Sequence, residues 1–127
     1  YMHKDRLDKL TAGPIWDFDW ATFTPGKSKS FCIKSAIYYD RLFTDPQFVS
    51  LVKSRWTLLK PKFETIPDYI RKTAEEIKVS NDINIKMWPI SSTVNGDEKM
   101  TFEESIERMS SVYSEKLKWM DSQISNM

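Results

Sequence analysis

From Phe102 to Ile124 the apolar residues Phe102, Ile106, Met109, Tyr113, Leu117, Met120 and Ile124 recur at steps of four, three, four, four, three and four. That spacing matches the 3.6-residue period of an α-helix and places all of them on one stripe. Thr101 and Glu104, three residues apart at its head, form a capping-box pattern. A helix this long cannot leave such a stripe in water. It must lie against other elements, so the rest of the chain is constrained to supply a surface for it.

Suitable partners are written upstream. Asp45-Pro46 reads as a sharp helix start, with Asp45 as N-cap and Pro46 in the first helical position. Phe48, Val52, Trp56 and Leu59, with Leu51 beside them, form an amphipathic face that Pro61 is expected to end or kink. A third helix is expected from Thr65-Ile66-Pro67 to about Trp88, lined by Ile70, Ala74 and Ile77 and stopped by Pro89. Asn81 and Asn84 interrupt that stripe, so they either face solvent or are buried with partners. A shorter helical segment begins near Ile33 and carries Ile37, Tyr38, Leu42 and Phe43. Ser91 to Lys99, with Asn95-Gly96, reads as a polar loop. Short links between the long helices favour antiparallel neighbours.

The start of the chain has a different character. Tyr1 to Arg6 reads as a strand, Leu7-Asp8-Lys9 as a turn, and Leu10 to Trp20 as a second strand with a bulge or edge at Gly13-Pro14. A loop follows through Thr24-Pro25-Gly26-Lys27-Ser28. The expected fold is mainly α (α+β), with a short β-hairpin over 1–24 and a bundle of about four helices over 33–127. We expect a single unit spanning 1–127, a C-terminal fragment of a larger domain, because a strand is already under way at Tyr1. The 127 residues, 40% hydrophobic and 29% charged, suit one globular unit. Three Gly leave little material for a Gly-rich phosphate loop. A net charge of +1 gives no footprint for nucleic acid or an anionic membrane. No apolar run reaches the roughly 20 residues that span a bilayer. Cys32, the sole cysteine, cannot form an internal disulfide, and with His3 it makes no metal or nucleophile pair.

Chemical information is concentrated in Gly13-Pro14-Ile15-Trp16-Asp17-Phe18-Asp19-Trp20. On an extended strand Asp17 and Asp19 project to one face, while Trp16, Phe18 and Trp20 project to the other and anchor it in a core. A paired-carboxylate edge can hold a hard cation such as Mg2+, with substrate phosphates completing the shell. The bland alternative for Asp17 is an ion pair with a strand neighbour such as Lys4 or Arg6, or a turn hydrogen bond. For Asp19 it is a bond to its own backbone at the strand end. An exposed aromatic platform for sugars or bases is the alternative to core anchoring. Arg41 is placed to pair with Asp17 or Asp19, or to contact phosphate. Trp56, Trp88 and Trp119 read as packing residues.

Lys9-Leu10-Thr11-Ala12-Gly13-Pro14-Ile15-Trp16-Asp17-Phe18-Asp19-Trp20-Ala21, followed by Tyr38-Tyr39-Asp40-Arg41-Leu42-Phe43 and Asp45-Pro46-Gln47-Phe48, resembles the C-terminal part of the CotH kinase family, that of spore coat protein H. Beyond Leu59 the likeness is one of helical character. The resemblance implies a secreted or surface enzyme, extracellular in setting, that transfers phosphate from ATP to a protein substrate. It implies Mg2+ and ATP as cofactors of the intact parent. Asp17 would be the Mg2+ ligand, and Asp19 a second ligand or a group orienting the first. The family's ATP-gripping lysine and its catalytic aspartate and asparagine would fall before Tyr1. The fragment is therefore expected to be inactive alone and to pair with the remainder of its domain upstream of Tyr1. Phosphoryl transfer needs several charge-neutralising groups at once. Two other readings stay open. One is a non-catalytic helical scaffold or binding module of a bacterial surface protein; the other, by fold-level analogy, is a nucleotide-sugar transferase edge.

Overall fold

The capping box at Thr101 forms as its residues dictate. The Thr101 hydroxyl accepts from the Glu104 backbone N–H at 3.1 Å, and the Glu104 carboxylate accepts from the Thr101 N–H at 2.7 Å. In this computed structural model residues 2–18, 22–89 and 100–127 are described. Among these residues two strands, β1 (Met2–His3) and β2 (Thr11–Ala12), and a 3-10 turn (Pro25–Lys27) precede four α-helices: α1 (Ile37–Leu42), α2 (Pro46–Phe63), α3 (Ile66–Met87) and α4 (Phe102–Ser125). The molecule is mainly helical, with a short antiparallel hairpin in front, as the residue pattern requires.

The long helix α4 is the spine. Its partners are α2 and α3, which share little packing with each other. Contacts along the helices show why. Lys53 donates to the Met127 carbonyl, Trp56 and Lys60 reach Asp121, and the Phe63 carbonyl accepts from the Tyr113 hydroxyl. Farther on, Arg71 meets Glu107 and Lys78 meets Glu103. As numbers rise along α2 and then α3, the facing numbers along α4 fall. Both helices therefore run antiparallel to α4 and cover successive stretches of it. The expectation of neighbouring antiparallel helices holds for α2–α4 and α3–α4, not for α2–α3.

The buried apolar residues lie along this seam: Trp56, Ile70, Ala74, Val112, Tyr113 and Ile124. Ser110, 1% exposed, sits where side-chain volume must be small. The segment before α1 is strapped to the same helix. Phe23 packs on Tyr113 and Phe31 on Trp119, with ring centroids 6.0 and 4.7 Å apart. Lys116 donates to the carbonyls of Lys27 and Ser30 at 3.3 and 2.9 Å.

Several boundaries differ from expectation. Asp45 caps α2 as expected, accepting from the Gln47 N–H at 2.8 Å. Pro61, however, lies inside α2, which continues to Phe63. Its missing N–H withdraws the usual donor from the Thr57 carbonyl, a loss of one bond that does not end the helix. In α3, Ile70 and Ala74 are buried but Ile77 is 45% exposed. Lys78 already faces Glu103, so the rest of α3 runs past the beginning of α4. Trp88 is consequently exposed rather than packed. Asn84 is exposed, whereas Asn81 is half-buried with its Nδ2 buried and unbonded. The short helix begins at Ile37, not Ile33. Both strands shrink to two residues, because every one of those positions is exposed and no apolar face holds a longer ladder. The Asn95-Gly96 loop lies outside the described residues.

Candidate functional site

Gly13 sets the path into the acidic segment. Its φ of +128° suits glycine alone, and the Gly13-Pro14 bond is cis. The chain then leaves the hairpin, and no strand follows over the described residues 13–18. Asp17 has φ +63°, a left-handed conformation, and the Phe18 carbonyl accepts from the Thr22 N–H at 2.8 Å. Non-glycine residues seldom adopt that backbone, although Asp tolerates it better than most.

This geometry corrects the strand-edge expectation. Asp17 is not on a strand, so strand alternation does not set where it points; Asp19 and Trp20 lie outside the described residues. The aromatic anchors are corrected too. Trp16 is 67% exposed and Phe18 50%, with Ile15 at 80%. They fail to bury because the segment bends instead of forming a strand with an inner face. Asp17 is exposed and makes no ion pair with Lys4, Arg6 or Arg41. Neither Lys4 nor Arg6 serves as its partner, and Arg41 does not tie the helix to it.

An exposed carboxylate without an ion-pair partner among the described residues fits a Mg2+ ligand chemically, since Mg2+ takes one or two carboxylates and fills its shell with water and phosphate oxygens. Among the described residues no three His, Cys, Asp or Glu side chains converge on a shared metal position. The contribution of Asp17 is thus that of a single ligand at an open edge. His3 is tied to the hairpin, its Nδ1 3.4 Å from the Gly13 carbonyl. Cys32 is exposed, with φ +58° and its N–H donated to the Ser30 hydroxyl.

A second carboxylate behaves differently. Asp121 on α4 accepts from the Trp56 indole N–H at 2.8 Å and from Lys60 at 2.9 Å. The Trp56 bond first, and then Lys60, hold its carboxyl below the usual range. The same contact with Asp121 raises the Lys60 ammonium. Asp121 therefore fastens α2 to α4.

Beside that fastening lies an apolar groove of about 490 Å³ between α1, α2 and the end of α4. Its walls include Phe43 and Phe48, which meet edge to face at 5.2 Å. The stripes of α2 and α4 were legible from spacing. The opening between them was not, because it depends on how α1 and the preceding segment stand beside the two helices.

Among the described residues no helix is long and apolar enough to cross a membrane. In comparisons with protein families, curated proteins and solved structures, no match was found.

Proposed function

We propose that this chain is the C-terminal part of a CotH-like protein kinase domain, in which Asp17 contributes a Mg2+ ligand for transfer of the ATP γ-phosphoryl group to a protein hydroxyl. The observation that carries this reading is the backbone at Asp17. A non-glycine residue in a left-handed conformation, with its carboxylate exposed and in no ion pair with a described residue, is the kind of outlier that functional demands retain. Kinases hold Mg2+ with an Asp followed by Phe, the arrangement that Asp17-Phe18 repeats. Asp19 is the second ligand or orienting group in this scheme.

Bound Mg2+ would neutralise phosphate charge. The chain's own part is to present Asp17 on a path set by Gly13 and by the bond from the Thr22 N–H to the Phe18 carbonyl. The lysine, aspartate and asparagine of the reaction would come from sequence preceding Tyr1, and the setting would be the cell surface or exterior.

Asp17→Asn in the intact enzyme tests this directly. Transfer should fall by at least about a hundredfold, since metal-borne charge stabilisation is worth several kcal/mol. The unfolding midpoint should hold, because the side chain is exposed and pairs with no described residue. Normal transfer by that variant would remove the metal assignment.

A second reading, a non-catalytic helical binding module of a bacterial surface protein, draws on the apolar groove. It predicts that Asp17→Asn changes nothing.

A further inference from the structure

The groove between α1, α2 and the end of α4 has a chemistry that selects its occupant. Leu51, Val52 and Leu59 of α2 line it together with Met120 and Ile124 of α4. No Asp or Glu side chain lines it, whereas Lys34 and Arg55 do. Lys34 Nζ stands 5.0 Å from the Phe43 ring centroid and 5.6 Å from that of Phe31, a cation held at an aromatic lip. Arg55 is exposed and forms no ion pair with a described residue. The indole N–H of Trp56, also in the lining, is already given to Asp121.

Two physical demands follow. The walls on α2 and α4 come from helices whose backbone groups bond internally, so an extended guest would find few partners for its own amides and carbonyls there. A helical guest satisfies its backbone unaided and can lay an apolar stripe on the floor. The two cations at the lip, neither in an ion pair with a described residue, favour carboxylates on that guest and disfavour further cations.

We propose that this groove receives an amphipathic helix with apolar residues spaced i, i+3, i+4 and i+7 and with Asp or Glu along its flank, pairing with Lys34 and Arg55. The proposal goes beyond the kinase reading and is independent of Asp17.

The probe is a fluorescein-labelled synthetic peptide of about 18 residues, long enough to populate a helix, with Leu at those spacings and Glu on the flanks. A matched peptide carries Lys in place of Glu. By fluorescence anisotropy with the 127-residue chain, the Glu peptide should bind at least about tenfold more tightly than the Lys peptide. Arg55→Glu should narrow or invert that preference. Leu51→Lys should abolish binding of the Glu peptide; Leu51 is 58% exposed, so the helical circular dichroism spectrum should persist. Equal affinity for the two peptides overturns the proposal, as does failure of the Glu peptide to bind at about 1 mM or an unchanged ranking with Arg55→Glu. A dimer detected by light scattering and dissolved by Leu51→Lys also overturns it, since a second copy would then be the occupant.

Discussion

Asp17 and Asp121 are two carboxylates with opposite circumstances. Asp17 has an unusual backbone and no ion pair with a described residue; Asp121 sits in ordinary helix and is held by Trp56 and Lys60. The sequence drew attention to Asp17 because a second acid and three aromatics surround it. It gave no sign of Asp121, whose partners are 65 and 61 residues away. Asp121 carries a testable pH dependence. Its folded carboxyl titrates below the usual range, so its contribution is present above the unfolded-state pKa and is lost as pH falls through the lowered folded value. Asp121→Asn should therefore be less stable than the parent at neutral pH. In urea titrations the gap should close as pH drops below the ordinary carboxylate range; a gap unchanged down to pH ~2 would deny the linkage. Tyr113 is a buried counterpart. Burial raises its hydroxyl pKa, and that hydroxyl donates to the Phe63 carbonyl at the end of α2.

At the scale of elements, starts were more legible than ends. Asp45-Pro46 and Thr101-x-x-Glu104 cap α2 and α4 as written, because a cap is a local bond between a side chain and backbone within three residues. Thr101→Ala should cost about 1 kcal/mol of stability in urea unfolding, with the loss of one N-cap bond. Thr101→Ser should restore most of it, and equal losses for both would show that the methyl group, not the hydroxyl, matters. Ends misled. Pro61 is compatible with a final helical turn, and the extent of α3 is set by backbone propensity while its burial is set by where α4 begins. The strand expectation failed over 13–18 for a related reason. Alternating acids and aromatics describe a two-faced strand, but here no sheet supplies the inner face, and Gly13 and Asp17 take the chain another way.

The whole molecule exposes much surface for its mass. Its 10293 Å² of accessible area exceeds the roughly 7000 Å² of a compact monomer of 15.0 kDa. Two helices laid successively along one spine contribute to this, together with the exposed residues 2–12 and the end of α3 that runs past α4. In X-ray solution scattering the radius of gyration should exceed the ~14 Å of a compact chain of this length; a value at or below that would contradict the arrangement. The sequence by itself determined the helical class, the caps and the apolar stripes, since each depends on residues within one or two turns of one another. The tertiary structure alone decided which stripes meet, that α2 and α3 share α4 rather than each other, and that a cation-rimmed groove opens beside Trp56. It also decided that Trp16 and Phe18 stay in water. Those outcomes depend on contacts between residues far apart in the chain, and local periodicity carries no information about which distant surface arrives to cover a given face.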